Sequence, residues 1–240
     1  HEAEIKRWHL AHTVIKSNRR YAYEEVQKIL EDNGVIDGQG EGAPVRPDGQ
    51  YTGENAEMLL QLDRLAKAAR KARFKNGAVK FDREELHFDV DDKGKPTRCY
   101  FKKSKDANKL IEEFMLLANK TVAESIGKVK KGGKAKTLPY RIHDQPDPTK
   151  LETLRSFVVK FGYKMKTAGT KGAITKSLNK LMDDCQRKKE QKLIETVALR
   201  AMMKAKYSVH NIGHYGLAFD YYTHFTSPIR RYPDTMVHRL

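Results

Sequence analysis

Cysteine is nearly missing from this chain of 240 residues: the two present, Cys99 and Cys185, stand far apart in unlike surroundings. That spacing excludes a CxxC redox pair and a Cys/His zinc pattern, so both thiols are expected to be reduced and without a chemical role. Long apolar runs are also missing. Nothing approaches the ~18 to 20 continuous apolar residues of a membrane span, and the opening HEAEIKRWHL has no apolar core of a signal peptide. A cytoplasmic protein is therefore expected. No internal repeat is visible.

What the chain has in excess is positive charge. Forty-seven Lys and Arg against 31 Asp and Glu leave a formal net charge of +16, which favours a polyanionic partner, nucleic acid first, through counterion release and long-range attraction. A basic surface that only maintains solubility has the same composition. The 39% hydrophobic content is enough for a core, and the length suits one large domain or two small ones.

Periodicity predicts a short strand at Val14–Ile15 and an amphipathic helix over Tyr23–Leu30. Residues 33–53, rich in Gly, Pro and Asp, read as an irregular excursion unable to supply a core face. From Glu54 to Lys75, Met58, Leu59, Leu62, Leu65, Ala66 and Ala69 recur at helical spacing, leaving Arg64, Lys67, Arg70 and Lys71 as a basic outer face. Two strands, Leu86–Val90 and Thr97–Phe101, flank DDKGKP, where Gly94 supplies the turn; Asp89, Asp91 and Asp92 suit turn hydrogen bonds better than a metal. A long helix is predicted over Asp106–Gly127, followed by a basic link KVKKGGKAK, an extended LPYRIHD and helices near 149–162, 174–186 and 190–204. Glu112 and Asn119 share a face of the long helix away from its apolar stripe, as solvated residues do.

The chemistry concentrates in GHYGLAFDYYTHFTSPIRRYPDTMVHRL, residues 213–240. Thr226 and Ser227 before Pro228 read as a helix cap followed by a first-turn proline. A helix beginning there would attract an anion, and Arg230 and Arg231 add two guanidinium forks matched to phosphate oxygens. Asp234, three residues beyond Arg231 on a helical face, is placed to hold that arginine. An ordinary capped helix with surface arginines has the same spacing. His214 and His224, with no partner in view, read as structural hydrogen-bonders.

YTHFTSPIRRYPD…HR resembles a specific motif of the ribonuclease II and ribonuclease R exoribonucleases, a family that includes the hydrolytic subunit of the eukaryotic exosome. TVIKSNRRYAYEEVQ, GAVKFD at 77–82, KLIEEFMLLANKTVAE at 109–124 and YRIHDQPDPTKL at 140–151 extend the resemblance over nearly the whole chain, and the combined pattern looks closest to bacterial ribonuclease R. The excursion at 33–53 and the GGK link are least like it. The resemblance implies an α+β fold, a mixed β-sheet packed with several helices within a ribonuclease II-type catalytic domain. It implies processive 3′→5′ hydrolysis of RNA, single-stranded or structured, to 5′-mononucleotides by a monomeric enzyme in which Mg²⁺ activates water.

Carried over residue by residue, the resemblance makes Arg230 the catalytic arginine that stabilises charge on the scissile phosphate. Glu112 and Tyr23 become groups acting at the terminal nucleotide. Phe81 becomes a base-stacking aromatic, and Thr226, Ser227, Arg231, Tyr232 and Arg239 become RNA contacts. The family's metal is held by clustered aspartates, roughly DxxxxxDxDD, and no such spacing occurs among these residues. The expectation is that residues 1–240 are the middle and C-terminal part of one catalytic domain. Its aspartate cluster and flanking RNA-binding β-barrels would lie outside the chain, and the isolated piece would be inactive. The alternative is a non-catalytic RNA-binding relative.

Overall fold

A computed structural model describes residues 5–40, 42–43, 49–80, 84–129, 133 and 136–240. The chain divides into two compact units, His1–Ala72 with Asp82–Phe114, and Arg73–Phe81 with Met115–Leu240. The class is α+β, with the described strands in two small antiparallel sheets.

In the first unit, residues 5–21 carry no strand, and Val14 and Ile15 are 103% and 88% exposed, so the strand expected there does not form. A β-branched pair without a neighbouring strand or a core to cover it has nothing to hold it extended. Helix α1 (Tyr23–Asp32) starts where Glu25 reaches back to accept from the Ala22 N–H at 2.7 Å, and Arg19 braces Glu25 and Glu54 at 3.0 Å each.

The excursion at 33–53 does supply a core face. Val35, Ala43 and Tyr51 pack with Leu30, Leu60 and Val26. Asn33 fixes this segment: its amide donates to the Ile29 and Thr52 carbonyls at 2.7 and 2.8 Å, and its Oδ1 accepts from Thr52 N–H at 2.9 Å. A few apolar residues spaced between turns were enough, because one buried amide supplies the backbone partners an irregular loop lacks.

Helix α2 (Ala56–Lys75) buries Ala56, Leu59, Leu60, Asp63 and Ala66, whereas Met58 and Leu65 are half-exposed. The basic outer face expected of it is only partly there. Lys67 turns inward between Asp63 and Asp106, 2.9 Å from each, and Arg70 reaches Glu113 at 3.3 Å. Buried carboxylates on the two helices outweigh solvation of the cations. Burial, opposed by Lys67, raises the Asp63 pKa above its ordinary value.

Strands β1 (Glu84–Val90) and β2 (Pro96–Lys103) form the expected hairpin. Asp91 Oδ1 accepts from the N–H groups of Lys93 and Lys95, and Gly94 adopts φ 77°, which confirms a turn role for that aspartate. Helix α3 (Asp106–Gly127) spans the interval its periodicity predicts.

In the second unit, α4 (Pro148–Val159), α5 (Lys171–Cys185) and α6 (Gln191–Ala201) surround a core of Leu151, Leu154, Val158, Leu178, Leu181, Ile194 and Ala198. Asp147 caps α4 ahead of Pro148, and Thr170 caps α5. Strands β3 (Tyr140–Ile142) and β4 (Lys206–Ser208) pair antiparallel, a 3₁₀ turn covers Tyr215–Leu217, and α7 runs from Tyr232 to His238. Residues 130–132 and 134–135 of the basic link lie outside the described residues. Among the described residues, no helix is long and apolar enough to cross a membrane.

Candidate functional site

The arginine motif is built on a tight turn, and its helix starts later than the sequence suggests. Residues 228–230 form the turn, and α7 begins at Tyr232 with Pro233 in its first turn. Pro228 is not the first-turn proline. Neither hydroxyl of Thr226 or Ser227 caps a helix; the Ser227 carbonyl instead accepts from the backbone N–H groups of Arg230 and Arg231 at 3.3 and 3.1 Å. The reason is Asp234. This fully buried carboxylate accepts from Ser227 N–H at 2.7 Å and from Arg231 Nη2 at 2.8 Å, so it closes the turn from within α7. The anticipated Arg231–Asp234 pair therefore forms, and it draws Arg231 inward.

Asn119 holds the segment leading into the turn. It is 2% exposed, which overturns the reading of that residue as solvated. Its Oδ1 accepts from the N–H groups of Phe225 and Thr226 at 2.9 and 3.2 Å, and its amide donates to Tyr222 Oη at 3.2 Å. Periodicity missed it because an amide away from the apolar stripe of a helix looks solvated. Its partners lie more than 100 positions later in the chain.

Arg230 is exposed, and its guanidinium makes no hydrogen bond or ion pair among the described residues. Tyr232 is 72% exposed, and Arg239 is exposed at the end of α7. Thr226 Oγ1 is buried with no hydrogen-bond partner among the described residues, as are Arg231 Nε and Asp234 Oδ2. His238 reaches the Phe225 carbonyl at 2.9 Å and stacks on the Phe225 ring, closing the segment from the other side.

Three histidines stand behind the motif in neutral form. His143 Nδ1 accepts from Gly216 N–H at 3.0 Å while its Nε2 meets the Met203 carbonyl at 2.7 Å, and burial lowers its pKa. Gly216 is required at that approach, since a Cβ there would lie 2.9 Å from His143 Nδ1. His214 accepts from Leu217 N–H at 3.3 Å; burial, then His143 and Arg141, pushes its pKa down to about 3. Burial, then Arg231, lowers His224 to about 4, with Arg141 and Arg230 adding to the effect and Asp234 opposing it. Tyr207 Oη lies 2.6 Å from His224 Nδ1, and the Arg141 guanidinium covers the Tyr207 ring at 4.9 Å. Both histidines singled out in the sequence thus sit within hydrogen-bonded structure.

The remaining sequence-derived residues belong to other segments of the chain. Tyr23, 45% exposed at the start of α1, and Glu112, exposed on α3 and 4.0 Å from Arg70, belong to the first unit. Phe81 lies outside the described residues. No group of three or more His, Cys, Asp or Glu side chains among the described residues is arranged to hold a metal ion.

The model of the RNB domain matches residues 1–240. The chain belongs to the RNB family. Ribonuclease R from Aquifex aeolicus is 34% identical over 236 residues, covering 98% of this chain and 31% of that protein. DIS3-like exonuclease 2 from Schizosaccharomyces pombe is 37% identical over 243 residues, 98% of this chain and 25% of its own length. Among solved structures, RNase R of Mycoplasma genitalium in complex with ribose-methylated single-stranded RNA superposes with a TM-score of 0.72 at 26% identity, over 92% of this chain and 31% of that one. The chain thus spans about a third or less of these RNB relatives.

Proposed function

We propose that this chain forms part of a 3′→5′ exoribonuclease of ribonuclease R type that hydrolyses RNA to 5′-mononucleotides. The carrying observation is Arg230, an arginine without a protein partner among the described residues, set on a turn braced by Asp234 and Asn119 within an RNB domain. A rigid turn fixes where the guanidinium points, and its free donors match the oxygens of a phosphodiester. Arg230 stabilises charge developing on the scissile phosphate, Glu112 and Tyr23 act at the terminal nucleotide, and Phe81 stacks on a base. Thr226, Ser227, Arg231, Tyr232 and Arg239 support RNA near the turn, with Arg231 acting through its hold on Asp234. The +16 charge supports a nucleic-acid partner, and RNase R of M. genitalium binds RNA in its solved complexes.

The reading includes Mg²⁺ held by carboxylates other than those described, within a catalytic domain of which residues 1–240 are the middle and later part. A second reading is a non-catalytic RNA-binding relative of the family. Incubating the full-length protein with 3′-labelled single-stranded RNA and Mg²⁺ separates the two. Metal-dependent release of labelled mononucleotide supports the exoribonuclease; RNA binding without release supports the alternative.

A further inference from the structure

Arg141 and Tyr207 are register partners across β3 and β4, so their side chains leave the same face of the ribbon. The Arg141 guanidinium lies over the Tyr207 ring at 4.9 Å. A cation over a ring face in this way is held by the ring quadrupole without using up its N–H donors. Arg141 makes no side-chain hydrogen bond or ion pair among the described residues. Arg231, by contrast, is tied to a buried carboxylate at 2.8 Å.

The neighbourhood is one-sided in charge. Tyr207 hands the ribbon to the arginine motif through its 2.6 Å hydrogen bond to His224 Nδ1. Arg141, Arg230 and Arg231 all lower the His224 pKa, and Asp234, which opposes them, is committed to Arg231 and Ser227. The imidazole stays neutral and adds no counter-charge. Arg141 and Arg230 thus have no carboxylate of their own among the described residues, the arrangement that a bound anion completes.

We propose that Arg141, seated on Tyr207, is a second phosphate-binding guanidinium of this unit, taking a backbone phosphate of single-stranded RNA other than the one at Arg230. The proposal rests on the RNA reading above and adds a position to it. Arg141 is assigned to the phosphodiester backbone because the fork of a guanidinium matches phosphate oxygens. Tyr207 is a positioning residue: its ring sets the plane of the guanidinium, and its hydroxyl ties that plane to His224.

The test is the salt dependence of binding, measured by anisotropy of a fluorescein-labelled oligouridylate on the full-length protein. Each phosphate neutralised on a single strand contributes about 0.7 to the slope of log K against log salt. Arg141→Gln is expected to weaken binding at low salt several-fold and to lower the slope by about 0.7, whereas Arg141→Lys keeps the slope. An unchanged slope in Arg141→Gln overturns the proposal. Arg230→Gln is run beside it: if that variant lowers the slope and Arg141→Gln does not, the second position falls and the RNA reading stands. Wild-type binding that ignores salt sinks both. Inorganic phosphate titrated alone by calorimetry distinguishes the sources: binding at millimolar phosphate in the wild type and not in Arg141→Gln, with the RNA slope unchanged by the substitution, shows a free-anion site and overturns the RNA assignment. Should Arg141→Gln fail to fold by thermal melt, Tyr207→Leu takes its place. Weaker binding with the slope retained supports the proposal, and unchanged affinity overturns it.

Discussion

Asp234 Oδ1 accepts from Arg231 Nη2 at 2.8 Å and from Ser227 N–H at 2.7 Å, so one buried carboxylate both holds an arginine and closes the turn that presents the next arginine, Arg230, to solvent. Removing one partner of a buried charged pair leaves the other uncompensated, at a cost of about 3–5 kcal/mol. Asp234→Ala is expected to lose stability on that scale in equilibrium urea unfolding, and Asp234→Asn less, because an amide oxygen still accepts from Ser227. A change below ~1 kcal/mol in the alanine variant would show that the turn is held by other contacts.

Asn119 supplies the second brace. Asn119→Ala leaves Phe225 N–H, Thr226 N–H and Tyr222 Oη without their partner, and an unsatisfied buried polar group costs about 1–3 kcal/mol. The melting temperature should fall by about 2–4 °C for each kcal/mol lost at this chain length. Because the loss lies in the turn, Arg230-dependent turnover should fall further than RNA affinity. Equal loss of both in steady-state assays would make Asn119 a residue of general stability only.

Much of this was legible in the sequence, and most of the parts that were not share a cause. α3, the hairpin around Gly94 and the three helices of the second unit follow from local periodicity and caps, and the Arg231–Asp234 pair follows from helical spacing. Most of what escaped depends on partners remote in the chain. Asn119 was assigned to solvent although its partners stand at 222–226, and Lys67 was assigned to a basic face although Asp106 waits for it on another helix. The cap at Ser227 was misread for a local reason: Asp234, seven residues on, takes the serine N–H, and the helix starts at Tyr232. Tyr207 and Arg141 carry no motif, and only the strand register sets them face to face.

The depressed histidines predict an acid limb of stability. His214 and His224 ionise near 6.5 when unfolded but only at about 3 and about 4 when folded, so the unfolded chain binds more protons between those values. Stability is full above pH ~6.5 and falls as the pH drops toward 4, with His214 still contributing to the loss below that. Urea midpoints measured across this range should decline on acidification. His214→Gln should be less stable at neutral pH yet decline less steeply, and an identical slope in wild type and variant would remove His214 from the account.

Arg230→Lys tests the proposed catalytic arginine in the full-length protein. Lysine keeps the positive charge that draws RNA in but loses the planar fork that grips two phosphate oxygens together. Affinity should therefore survive, while single-turnover cleavage falls by about 10²- to 10³-fold, the usual cost of one preorganised contact to transition-state charge. Arg231→Lys should affect cleavage less directly, since Arg231 points to Asp234, and its effect should appear in stability as well. The two variants are compared on one RNA by single-turnover kinetics and equilibrium binding. If Arg230→Lys weakens binding and leaves cleavage intact, Arg230 positions the backbone and does not stabilise the transition state.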